Sequence, residues 1–222
     1  NHNKIELFNN SVSVFGKLSS RYVSASPIVV NKTDSLTMKN NIFANYCDFD
    51  VSFPNGYITD ISVDSIQSLS ANNNAYYVQA LHDSTVFLAN FNKVKLDSLQ
   101  SYQAAVSPQE NASFYEEFPF ISTDCTASGF MQFSPSIMTK CESEGTSNLP
   151  IVLNSDIIGN KRFGTIGYAG IGTAIDVGAY EMNCSSYVNP IQLINAQVSP
   201  AFNNCSSIAR TVTCSLAVAN GF

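Results

Sequence analysis

Along the first part of the chain, apolar residues come in short runs divided by Asn, Ser and Gly: Ile5-Glu6-Leu7-Phe8, Val12-Ser13-Val14-Phe15, Ile28-Val29-Val30, Leu36-Thr37-Met38 and Ile42-Phe43. Alternation with a period of two over so few residues is the pattern of strands, and no run has the length or spacing of a helix. Ile5-Glu6-Leu7-Phe8-Asn9-Asn10-Ser11-Val12 lies over Leu36-Thr37-Met38-Lys39-Asn40-Asn41-Ile42-Phe43 at an offset of 31 residues, apolar on apolar and Asn-Asn on Asn-Asn. Strands repeating at such a period without helices predict a solenoid, each turn burying its inward side chains against its neighbours. Asn tolerates left-handed backbone angles and bonds to nearby backbone, so Asn10 and Asn41 are expected at equivalent corners, their stacked amides satisfying one another. Residues 1 to 92 are therefore expected to form stacked parallel strands, spaced by about 4.8 Å. The competing reading, Asn-containing loops of a β-sandwich, requires antiparallel hairpins there.

The second half is less regular. Asn72-Asn73-Asn74 reads as a loop, and the stretch from Lys93 to Gln109 admits a short helix around Leu96, Leu99, Tyr102 and Gln103, ended by Pro108. Phe118-Pro119-Phe120-Ile121 and Phe130-Met131-Gln132-Phe133 are strand signals, with a turn after the second at Ser134-Pro135-Ser136-Ile137. Glycines 159, 164, 167, 170, 172 and 178 then crowd a stretch that reads as loop-rich closure. At 222 residues, 45% hydrophobic and 13% charged, the chain can bury a core and falls outside the composition of disordered chains. The net charge of −6 argues against nucleic acid as a partner. No apolar run reaches membrane-spanning length, so no membrane insertion is expected. Asn1 opens the chain without Met or a leader, which reads as a piece of a longer protein.

Six cysteines, Cys47, Cys125, Cys141, Cys184, Cys205 and Cys214, include no CxxC pair, and His2 and His82 are the two histidines. A zinc cluster has little to draw on, and neither metal nor cofactor is expected. An even count in an acidic, Ser- and Asn-rich chain favours disulfides in an oxidising setting, with free buried thiols as the alternative. Cys125 with Cys141, and Cys205 with Cys214, are the candidate pairs.

The runs Ser98-Leu99-Gln100-Ser101-Tyr102-Gln103-Ala104-Ala105, Glu116-Glu117-Phe118-Pro119-Phe120-Ile121, Phe133-Ser134-Pro135-Ser136-Ile137, Ser155-Asp156-Ile157-Ile158-Gly159-Asn160-Lys161-Arg162 and Ile175-Asp176-Val177-Gly178-Ala179-Tyr180-Glu181 carry a resemblance in both order and spacing. They resemble the C-terminal end of right-handed parallel β-helix domains of large bacterial cell-surface proteins. Departures from that pattern are Tyr102 in place of Trp, Glu117 and Phe118 in place of the Asp before Pro, and Met138 in place of the turn's Asp. The resemblance covers roughly residues 1 to 183. It implies an all-β, right-handed parallel β-helix with an irregular C-terminal closure. It implies, too, that Asp176, Gly178 and Glu181 close the fold and do no chemistry. Residues 184–222 change character: Val188-Asn189-Pro190 reads as a linker, and Ile191 to Pro200 with Ala209 to Val218 read as two alternating strands. These are expected to form a terminal hairpin or the first strands of an immunoglobulin-like module, which needs about 100 residues to complete.

For catalysis, His82 in Leu81-His82-Asp83-Ser84 offers adjacency and no triad geometry. Asp48, Asp50, Asp60 and Asp64 are the acidic candidates of a polysaccharide-cleaving helix, Asp48 and Asp50 alternating so as to offer oxygens to calcium, but no Lys or Arg lies between Lys39 and Lys93. Tyr76-Tyr77 is the one pair with the look of an exposed sugar-stacking surface. The resemblance thus implies a non-catalytic module of a secreted adhesin. Its expected role is attachment, display or gliding at a bacterial cell surface, carried there by type IX secretion. A surface polysaccharide or other cell-surface ligand, and the secretion and anchoring machinery acting on the parent chain, are the implied partners; a carbohydrate-active lyase or hydrolase-like β-helix is the runner-up. Asp34-Ser35-Leu36, Asp64-Ser65-Ile66, Asp83-Ser84-Thr85 and Asp97-Ser98-Leu99 resemble the O-glycosylation sites of exported proteins in that lineage, making Ser35, Ser65, Ser84 and Ser98 candidates.

Overall fold

The structure, a computed structural model, describes residues 3–18, 24–49, 57–79 and 86–183. His2, Asp50, His82, Ser84, Cys184, Cys205, Cys214 and the proposed linker and hairpin of 184–222 lie outside the described residues. The described part is mostly strand, with parallel sheets and one helix, an all-β architecture.

The strands are β1 (Lys4–Phe8), β2 (Ser11–Leu18), β3 (Ser24–Ala25), β4 (Ile28–Val30), β5 (Thr33–Lys39), β6 (Ile42–Phe49), β7 (Tyr57–Ile58), β8 (Ile61–Val63), β9 (Ile66–Asn72), β10 (Ala75–Val78), β11 (Ala89–Phe91) and β12 (Val94–Leu96). Helix α1 (Leu99–Val106) and β13 (Phe114–Tyr115) follow. One sheet runs β1-β5-β9, a second β13-β10-β6-β2, a third β12-β11-β8-β4, and β3 pairs β7. Every pairing is parallel except β11 with β12. Ser11 faces Ile42, an offset of 31, and Ile42 faces Ala75, an offset of 33, so successive turns of chain supply successive strands of each sheet.

Three of the links between sheets are Asn-Asn steps. Asn9, Asn40 and Asn73 take φ of 51°, 58° and 54°, the left-handed region in which Asn is enriched among non-glycine residues. Asn10, Asn41 and Asn74 follow them at equivalent corners. Asn41 Oδ1 accepts from Asn10 N and Nδ2 at 3.0 and 2.9 Å, and Asn74 Oδ1 accepts from Asn41 N and Nδ2, both at 3.0 Å. The column ends at Glu110 and Ser113: Asn74 Nδ2 donates to both Glu110 carboxylate oxygens at 3.2 Å and Asn74 N to Ser113 Oγ at 2.8 Å. Asn41→Ala strips the middle member, leaving the fully buried Asn74 amide and the half-buried Asn10 N–H and Leu7 carbonyl without that partner. The expected loss is about 2 kcal/mol of unfolding free energy, measured by urea denaturation.

The interior is filled by Leu36, Met38, Phe43, Ile61, Val63, Ala71, Tyr76, Leu88, Ala89, Tyr102 and Val106. The outer face of β6 and β10 is buried as well: Ile42, Ala44 and Ala75 pack with Phe118, Phe133, Cys141, Val177 and Met182 of the closing segment. A parallel sheet covered on both faces requires a continuous apolar run, and Ile42-Phe43-Ala44 is one.

Helix α1 sits within the expected stretch, starting after Leu96, which belongs to β12. Ser98 caps it in a reciprocal arrangement with Ser101. Phe118–Ile121 and Phe130–Phe133 do not form the expected strands. They meet through isolated bridges, Phe120 with Phe133 and Ser122 with Phe130, and Phe118, Phe120 and Phe133 turn their rings into the second core.

Candidate functional site

Ionisable side chains converge at one place in the closing segment. Arg162, its side chain 2% exposed, bonds Glu181 Oε2 at 3.2 Å and donates to the carbonyls of Gly178 and Ala179 at 2.9 and 3.0 Å. Glu181 Oε1 accepts from Phe163 N at 2.8 Å. Asp176 Oδ1 accepts from Ser143 N at 2.7 Å, and its Oδ2 from Met182 N. Asp156, which the motif reading left without a role, accepts from Ile158 N, Asn160 N and Glu181 N. These carboxylates are thus spent on the chain's own N–H groups and on Arg162, the arrangement that ties irregular loops together.

Burial dominates their electrostatics. It pushes Asp176 up to about 8, with the Glu181 carboxylate adding to the effect. It raises Glu181 and lowers Arg162, each opposed by their mutual attraction. Gly178 has φ of 101°, and a β-carbon there would lie 2.5 Å from Ile42 Cδ1, so glycine is required for the loop to reach the sheet.

The closing segment also runs along the left-handed Asn column. Asn9 Nδ2 donates to the carbonyls of Asp176 and Gly178, Asn40 Nδ2 to that of Thr146, and Asn73 Nδ2 to that of Glu144. Thr146 N returns a bond to Asn40 Oδ1 at 2.8 Å.

The acidic candidates on the early strands are not gathered. Asp48 is half-buried on β6, Asp64 is exposed, and Asp60 is fully buried, one oxygen accepting from Tyr77 N at 2.6 Å and the other without a partner. Burial raises the Asp60 carboxyl well above its ordinary range. Among the described residues, no three His, Cys, Asp or Glu are grouped to hold a metal ion. Tyr76 is not half of an exposed pair: it is fully buried and donates to Glu110 Oε1 at 2.7 Å. Tyr77 instead joins a column with Tyr46 and Phe15, centroids 5.0 Å apart at each step. Phe15 and Tyr46 stack with ring planes 7° from parallel, so their facing surfaces cover each other and are closed to a sugar ring.

The expected Cys125–Cys141 disulfide is not formed. Cys125 carries a free, exposed thiol, whereas Cys141 is drawn into the second core beside Phe118 and Phe133. Native maleimide labelling should modify Cys125 at once and reach buried Cys47 only on unfolding; equal rates at both would contradict this packing. Of the glycan candidates, Ser65 is exposed between β8 and β9, Ser35 is half-buried in β5, and the Ser98 hydroxyl is engaged as the cap of α1.

No family model, curated protein or solved structure matches this chain.

Proposed function

We propose that this chain is a right-handed parallel β-helix module of a large secreted adhesin-like protein, serving attachment or display at a bacterial cell surface and cleaving nothing. The observation that carries the reading is how the closing carboxylates are used. Asp156, Asp176 and Glu181 are buried and hold backbone N–H groups and a buried Arg162, which favours a structural closure over a substrate groove. The parallel strand order, with one strand per turn in each sheet, supports the β-helix part. The chain's own stacking of Phe15 on Tyr46 directs any polysaccharide contact elsewhere than those faces. The test is to incubate the purified chain with immobilised bacterial and host polysaccharides and to follow retention and new reducing or unsaturated ends together. Retention without new ends is the expected result; released oligosaccharides would establish the carbohydrate-cleaving alternative.

A further inference from the structure

A groove of about 420 Å³ opens at the third turn, between the first half of β9, the end of β11 with the turn after it, and the C-terminal end of α1 with the residues that follow. Its volume is that of a small-ligand site. Among the described residues that line it none is charged, in a chain whose net charge is −6. Its polar groups are the amides of Gln67, Asn92 and Gln109 and the hydroxyls of Ser68 and Ser107. Phe91 and Pro108 are part of its apolar surface.

The amides set this groove apart from the corners of the other turns. Asn92 takes the same left-handed conformation as Asn9, Asn40 and Asn73, with φ of 49°. At those three corners the amide is spent on a carbonyl of the closing segment. The Asn92 amide is exposed, and among the described residues it has no hydrogen-bond partner; the same holds for the side chains of Gln67, Ser68 and Ser107. Gln109 is held in place: its Oε1 accepts from Ala71 N at 2.9 Å, which fixes the carboxamide and leaves Nε2 without an acceptor among the described residues. The Phe91 ring is braced edge-on by Tyr102, their centroids 5.9 Å apart.

Such a wall selects its occupant by chemistry. A carboxylate, phosphate or ammonium entering it gives up hydration and meets no counter-charge. A wholly apolar ligand covers amides and hydroxyls without bonding them. An uncharged sugar avoids both penalties, because its hydroxyls donate and accept as a primary amide does, and its C–H face rests on apolar carbon.

We propose that this groove binds a short stretch of neutral glycan, with Gln67, Asn92 and Gln109 bonding its hydroxyls and Phe91 and Pro108 underlying a ring. The site deepens the attachment reading, on which it rests, by giving the polysaccharide contact a place and a charge class. Among the described lining residues there is no carboxylate to serve as acid or base, so the glycan is held and not cut.

Affinity electrophoresis of the full chain through gels carrying dextran, mannan or galactan, with alginate and polygalacturonate as acidic counterparts, tests this. Gln67→Ala combined with Asn92→Gly removes two amides, and glycine keeps the left-handed backbone at 92. Gln100→Ala, an exposed amide of α1 outside the groove, is the control. Urea midpoints matching that of the unsubstituted chain establish that both variants are folded. The expected result is retardation by at least one neutral gel, little changed by salt. Binding should be about tenfold weaker in the double variant, the loss of two ordinary hydrogen bonds, and unchanged in Gln100→Ala. In the unsubstituted chain, the same glycan should slow amide hydrogen exchange in peptides covering 66–69 and 105–109. Retardation that the double variant keeps in full, or exchange slowed only elsewhere, overturns the groove and leaves attachment standing. Retardation by acidic gels alone overturns the neutral class. No retardation in any gel overturns the groove together with the polysaccharide part of the attachment reading.

Discussion

Replacing Arg162 with alanine will lower the unfolding free energy by about 3–5 kcal/mol, seen as a lower urea midpoint at unchanged slope. The guanidinium is buried against Glu181 and bonds two carbonyls, so its loss leaves a buried carboxylate without its counter-charge, while Gly178 O and Ala179 O keep Asn9 Nδ2 and Ile157 N as donors. The penalty is that of an uncompensated buried charge, which exceeds the worth of the pair itself. Arg162→Met combined with Glu181→Gln removes both charges and should recover a large part of the loss. A cost below about 1 kcal/mol for Arg162→Ala, the scale of an exposed pair, would mean that the closing loops are not docked.

Raising the pH from about 5 to about 8 will weaken the fold by roughly 1.4 kcal/mol per unit through Asp176 alone. The sign follows from its folded value of about 8 against an ordinary 3.8. Between those limits the folded state holds a proton that the unfolded state has released, so stability is complete below the lower value and fades through the upper one. Burial raises Glu110, Glu116, Glu181 and Asp60 in the same direction, which reinforces the trend. Asp176→Asn should flatten the slope of unfolding free energy against pH over this window. A chain that gains stability from pH 5 to 8 would show that these carboxyls are hydrated.

The strand order of the early turns was legible because both of its determinants are local: period-two alternation and an Asn pair recurring after 31 residues. The third copy escaped notice. Asn73-Asn74 sits in a run of three Asn that reads as an ordinary loop, and the step to it is 33 residues, since chain between sheets tolerates added residues that the strands do not. With the first Asn of each pair aligned as well, the left-handed column at 9, 40 and 73 was within reach. Glu110 was not, because a carboxylate that ends an amide column carries no spacing signal; only the fold brings it to Asn74 and Tyr76. The closing motif put Asp176, Gly178 and Glu181 at the end of the fold, whereas the bonds of Arg162 to that turn come from the fold alone. The Cys125–Cys141 pairing failed because loop length says nothing of direction, and Cys141 turns into the core.

The bonds from Glu144, Thr146, Asp176 and Gly178 to Asn73, Asn40 and Asn9 bear on cooperativity. In a chain of stacked repeats, stability is a sum of nearest-neighbour terms, and the ends fray first. Here one segment grips the first, second and third turns at once, so a turn cannot loosen without disturbing contacts that hold the other two. That segment converts a one-dimensional array into a single all-or-none unit, and the first turn, which among the described residues pairs on one side, unfolds with the whole instead of peeling away.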